Sequence, residues 1–217
     1  MSRKSSLQVL FTLVVIAFTT YLVGCATKAG FKQGAKTAER MNDAQTELLA
    51  AKSQTEATTT ALNDFGKQDG IDLPTQFKEF GKAIDSMESE FGRARKSVAK
   101  VNEQGNKFFQ DWENEIALMT SEDIRQLSET RKTNLLESFN RIDASMQQAE
   151  AAYGAFMSDL RDVERFLSID LTTGGIAAIS DTIQKTNADS QTLQKQIEAV
   201  IAELSRVAAE MPKMPSK

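Results

Sequence analysis

Apolar residues recur at alternating spacings of three and four in four separate stretches of the chain. This is the seven-residue rhythm of helices that bury one seam against their neighbours. The first stripe runs from Met41 through Leu48, Thr55 and Thr58 to Phe65, with Phe31, Ala35 and Ala38 ahead of it. The second runs from Phe77 through Phe91, Phe108 and Trp112 to Glu115 and Met119. The third is unbroken from Leu135 through Phe156 to Leu167, behind a less apolar start at Ile124, Ser128 and Arg131. The fourth runs from Ile176 through Thr186, Ser190 and Leu193 to Met211. No stretch alternates with the period of two that marks a strand, so the pattern predicts an all-α chain.

The breaks between stripes carry helix punctuation. Gly66 to Leu73 contains Gly70 and is followed by Pro74, a first-turn proline. Thr120 and Ser121 precede Glu122 and Asp123, an N-cap with acid where the helix dipole favours it. Thr172, Thr173, Gly174 and Gly175 make the third break, and Pro212 and Pro215 close the last helix. Four long helices are predicted, over about 31–66, 74–119, 121–170 and 175–211. Their matched lengths, about 75 Å for the inner pair and about 58 Å for the outer, fit an elongated antiparallel up-down-up-down bundle or coiled coil. Residues 31–211 form one domain in this reading, with 212–217 as a disordered tail. The inner hairpin should overshoot the outer helices by about 16 Å. Its tip, with Phe109, Trp112, Ile116, Leu118, Met119, Ile124 and Leu127, is expected to leave apolar surface facing a membrane or a partner. An earlier start to the first helix, or a bend in the fourth, would make it a plain two-helix core instead.

The N-terminus reads as an address. Arg3 and Lys4 precede an apolar run from Leu7 to Val23, the pattern of a secretory signal and slightly short for a membrane span. Its end, Leu22-Val23-Gly24-Cys25, resembles the bacterial lipobox. That resemblance implies a signal peptide over 1–24, diacylglycerol and palmitate on Cys25, and a lipidated tether over 25–30. With Ala26 and no aspartate after the cysteine, it further implies the periplasmic face of an outer membrane. Two or more acyl chains hold a protein stably at a bilayer.

Composition narrows the chemistry. The 217 residues hold one cysteine and no histidine, with a formal charge of −4. Disulfide frameworks, Cys/His zinc sites and histidine catalysis are excluded by count, and lipidation would consume the lone thiol. Asp111, Glu113 and Glu115 could be a carboxylate cluster, but a solvated helix face explains them; no metal or other cofactor is expected. Arg93-Ala94-Arg95-Lys96 lacks interleaved aromatics in an acidic protein, so nucleic acid is not an expected partner. Antiparallel register about residue 120 places Glu115 near Arg125 and Trp112 near Ser128. Together with Arg131, these would set register rather than perform chemistry. A second polar set, Thr55, Thr58, Thr186 and Ser190 with Gly81 and Gly154, should fall at one height of the bundle. It would fix register through hydroxyls satisfied by backbone carbonyls, or else line a small ligand pocket.

Phe108-Phe109-Gln110-Asp111-Trp112-Glu113-Asn114-Glu115, Leu127-Ser128-Glu129-Thr130-Arg131 and Met146-Gln147-Gln148-Ala149-Glu150 resemble a family of uncharacterised bacterial helical lipoproteins, a domain of unknown function. The resemblance covers nearly all of the chain behind Cys25 and is best between about Phe65 and Leu171. It implies the envelope address and the helical fold, and no activity. The chain departs from it at Ser168-Ile169-Asp170-Leu171-Thr172, where members often carry a Lys-His-Asn-Leu-Asn type of run. The expected function is a non-enzymatic, lipid-anchored scaffold of the cell envelope, docking a protein partner or a second copy. The alternative is a binding module for an apolar or lipid-like ligand, within the bundle or at the tip.

Overall fold

The computed structural model describes residues 3–65 and 72–211, without the side chains of residues 3–29 and of Phe31. Cys25, the signal peptide, most of the tether, the 66–71 break and the 212–217 tail therefore lie outside the described residues or side chains. Five helices follow in order: α1 (Arg3–Asp64), α2 (Leu73–Ala117), α3 (Glu122–Leu167), α4 (Thr173–Ala178) and α5 (Ser180–Glu210). No strand occurs among the described residues.

Each stripe is the buried face of its helix. Met41, Ala44, Leu48 and Ala51 are sealed on α1, as are Phe80, Ile84 and Met87 on α2 and Leu193, Ile197 and Val200 on α5. The helices α1 and α3 each pack against both α2 and α5. Side-chain partners show that every one of these seams is antiparallel. Along α1 and α5, Gln45 meets Ser205, Lys52 meets Glu198, Thr59 meets Ser190 and Asn63 meets Asn187. Between α1 and α2, Gln33 donates to Asp111, Glu47 pairs with Arg93, and Thr58 donates to the Ala83 carbonyl. On α2 and α3, Arg161 pairs with Asp85 and Glu88, Phe91 stacks on Tyr153, and Glu113 pairs with Lys132. Between α3 and α5, Asp159 meets Lys185 and Glu203 meets Arg141. These surface ion pairs align the helices more than they stabilise them.

The element boundaries depart from the expected ones in four places. First, α1 begins at Arg3 rather than near 31. No proline lies between Arg3 and Asp64, and isolated glycines such as Gly24 and Gly30 cost only about 1 kcal/mol each. Second, α2 ends at Ala117, where the amides of Leu118 and Met119 close tight turns onto Glu115 and Ile116 at 3.2 and 3.0 Å. It begins as predicted, with Pro74 in its first turn and Asp72 accepting from the Thr75 amide at 3.4 Å. Third, α3 spans Glu122–Leu167, with Ser121 as its N-cap residue and the expected Glu122 and Asp123 in its first turn.

The fourth difference lies in the last segment. Gly174 and Gly175 belong to a helix rather than to a break: Thr172 caps α4 by accepting from the Gly175 amide at 3.0 Å. Gly175 is there because the chain doubles back on it, so that a Cβ at this position would sit 2.4 Å from the Asp170 carbonyl oxygen. The helix then breaks at Ile179 (φ −102°, ψ 13°) and resumes as α5. The kink turns Ile179 inward, leaving it only 8% exposed.

Candidate functional site

Two places hold the residues singled out in the sequence: a hydroxyl layer inside the helices and the turn joining α2 to α3.

In the layer, Thr55, Thr58 and Thr186 are fully buried and Ser190 nearly so. Thr55 donates to the Ala51 carbonyl at 2.9 Å and Thr186 to the Thr182 carbonyl at 2.8 Å, each one turn back on its own helix. The Thr58 hydroxyl lies between the carbonyls of Gln54 (2.8 Å) and Ala83 (3.1 Å), the latter on α2. Gln54 also donates to the Ala83 oxygen, at 3.2 Å. Ser190 and Thr59 share a hydrogen bond of 2.7 Å between α5 and α1. One turn further, the amides of Asn63 and Asn187 bond to each other reciprocally at 3.1 and 2.9 Å. Thr59, Asn63 and Asn187 escape a search of the stripes because they flank the seam instead of occupying it. Their one-turn spacing on α1, facing a matching polar pair on α5, is the signal that could have found them.

Gly81 and Gly154 do not complete the layer as expected. Gly154 is exposed with open space around it, and a Cβ on Gly81 would meet only the end of the Glu164 side chain, at 3.2 Å. At this height, marked by the 2.5 Å ion pair of Lys185 with Asp159, α3 presents Phe156, which is fully buried. Hydroxylated residues on α1 and α5 and a backbone carbonyl on α2 thus share this height with one large ring on α3. With its hydroxyls engaged, the arrangement aligns three helices and offers no activated nucleophile. Removing the interhelical Thr58 hydroxyl as Thr58→Val should cost under about 1 kcal/mol, because the Ala83 carbonyl retains Gln54; urea unfolding would measure it.

At the α2–α3 turn the aromatic residues divide from the aliphatic ones. Phe108 is buried, with Phe109 and Trp112 at ring distances of 5.5 Å, and Phe109 meets Phe139 of α3 edge-on at 5.0 Å. The Trp112 indole N–H donates to Ser128 Oγ at 2.9 Å, the pairing that the register predicts. Leu118, Ile124 and Leu127, by contrast, are 75%, 55% and 59% exposed. Met119 is half-buried and Ile116 is buried. The expectation for Glu115 and Arg131 is corrected: both side chains are exposed and neither lies in a core. Along α2 the core-facing positions step by four from buried Phe108 to half-buried Trp112 to buried Ile116, so the seam leaves the strict heptad and Ile116 takes the place assigned to Glu115. An α-helix has 3.6 residues per turn, and a long 3.5-residue frame drifts off it. Arg125, the expected partner of Glu115, pairs instead with Glu122 on its own helix.

The remaining candidates are dispersed. Asp111 accepts from Gln33 at 3.2 Å, Glu113 pairs with Lys132, and Glu115 is exposed. Among the described residues no group of three His, Cys, Asp or Glu could hold a metal ion. Arg93, in the basic run, pairs with Glu90 on α2 and with Glu47 on α1 at 3.5 Å. Tyr153 stacks on Phe91 at 4.0 Å, and burial pushes its phenol above the ordinary value, which keeps it protonated. Among the residues whose side chains are described, no helix is long and apolar enough to cross a membrane.

Long heptad helices, held in register by buried hydroxyls and a reciprocal amide pair, define an all-α protein built for helix packing. Within that class, the chain belongs to the family described as Protein of unknown function (DUF2959), whose match covers residues 23–211. No curated protein and no solved structure matches the chain.

Proposed function

We propose that this protein is a lipid-anchored, non-enzymatic scaffold of the bacterial cell envelope. In this reading α1, α2, α3 and the α4–α5 segment close as an up-down-up-down bundle held at the periplasmic face of the outer membrane through acylated Cys25. The observation that carries it is the continuity of α1 from Cys25 into the stripe packed on α2 and α5. Anchor and body would then share one helix, as suits a rod that holds its partners at a fixed distance from a membrane. The antiparallel pairing of each seam supports closure of the bundle, because four seams in cyclic order leave each helix two neighbours.

The test is Cys25→Ser. Wild-type protein should incorporate labelled palmitate and sediment with membranes, and the variant should lose both properties. Unlabelled wild-type protein in the soluble fraction would end the reading. Crosslinking in cells from the exposed Lys100 should recover an envelope protein or a second copy of the chain; recovering neither would remove the scaffold role. The second reading, a module for an apolar or lipid-like ligand, draws on the exposed aliphatic residues of the α2–α3 turn rather than on the hydroxyl layer.

A further inference from the structure

We infer that the α2–α3 turn is a second membrane contact, in which Leu118, Ile124 and Leu127 seat on the same lipid surface that receives the N-terminus. This deepens the anchored reading and rests on it.

The exposed side chains fall close together. Ile124 and Leu127 lie one turn apart on the first turns of α3, and Leu118 caps α2 across the turn from them. Nothing on α5 covers them. Ser138 of α3 meets Arg206 of α5 at 3.2 Å, and α5 ends one turn later at Glu210, well short of the start of α3 at Glu122.

The register of α1 identifies the occupant. Gln33 is hydrogen-bonded to Gln104 and Asp111 of α2, at 3.0 and 3.2 Å, and the two helices are antiparallel. The part of α1 ahead of Gln33 therefore runs toward the α2–α3 turn. Cys25 precedes Gln33 by as many residues as Met119 follows Asp111, and about 12 Å of helix separates Cys25 from Gln33. Whatever bilayer holds the Leu7–Val23 run or an acylated Cys25 thus lies at the end of the molecule where aliphatic side chains are bare. The charges there are mixed: Glu115, Glu122 and Asp123 outnumber Arg125, so zwitterionic headgroups suit the tip better than anionic ones. Half-buried Trp112 lies just behind the aliphatic residues, as an interfacial aromatic does behind an inserted tip.

The chain's single tryptophan makes the test direct. The full chain, purified from membranes, carries W112F together with L118W, I124W or, at the opposite end, I169W; Ile169 is 85% exposed. Each is reconstituted with vesicles of phosphatidylcholine brominated at mid-chain, and flotation is measured alongside emission. The expected result is flotation of all three, with severalfold stronger bromine quenching for L118W and I124W than for I169W. Flotation with no quenching at the tip, or with equal quenching at both ends, overturns the tip contact and leaves the anchor standing. Failure to float overturns both. A concentration-dependent emission shift of L118W without lipid would assign the patch to a second copy of the chain and also overturn the proposal.

Discussion

Phe156→Ala is expected to destabilise the protein by about 3–5 kcal/mol, the usual cost of emptying a phenylalanine site in a packed core. The ring is fully buried at the height where the facing helices offer Thr58, Thr186 and Ser190. Residues at this height have little freedom to fill the vacated space. Two are β-branched with restricted χ1, and each hydroxyl is held by a hydrogen bond to a carbonyl or to another hydroxyl. The loss should therefore lie toward the upper end of the range. Against a typical net stability of about 5–15 kcal/mol, such a change shifts the urea midpoint far. A midpoint moved by less than about 1 kcal/mol equivalent would mean that α3 does not close this height of the molecule.

The second large effect is a contrast between glycines. Alanine in place of a mid-helix glycine is favourable by about 0.5–1 kcal/mol when nothing obstructs the new methyl group. Gly92 has open space around it, so Gly92→Ala should stabilise α2 by about that amount. Gly105 is on the same helix but faces Phe139, with the ring edge 2.3 Å from where a Cβ would be. The ring cannot give way cheaply, since Phe139 is buried and braced edge-on by Phe109 at 5.0 Å. Overpacking of about 1–3 kcal/mol then outweighs the helix gain, and Gly105→Ala should be net destabilising by about 1–2 kcal/mol. Equilibrium unfolding of the two variants side by side decides it. Equal gains at both positions would show that Phe139 can leave its site.

The seams were legible because burial at a heptad position is enforced over many turns. Met41 to Phe65, Phe80 to Phe108 and Leu193 to Met211 occupy their expected faces almost without exception. What was not legible follows from effects that a repeating pattern does not encode. The slip from Glu115 to Ile116 comes from helix geometry accumulating over the length of α2. The kink at Ile179 is a local compromise, and a single residue interrupts a stripe whose spacing runs straight through it. The early start of α1 was hidden because an address signal and a helix are compatible; Leu7–Val23 reads as the first and is continuous with the second. In the hydroxyl layer, Thr55, Thr58, Thr186 and Ser190 stood out as polar intruders on apolar stripes. Asn63 and Asn187, just beside the seam, look like any solvent-facing amides until both helices are in place. At the turn, the Trp112–Ser128 bond and the bareness of Leu118 followed from helix-length arithmetic, whereas the burial of Ile116 did not.

The unbroken α1 also has a mechanical consequence. Gln33 is tied to α2 near the middle of the helix, and Thr59 and Asn63 are tied to α5 near its C-terminal end. A helix pinned in this way, with no proline along it, has no hinge in which to absorb a twist. Torque applied at the N-terminal end would be delivered as strain to the amide pair at the far end, so the rod would work as a stiff lever rather than as a leash.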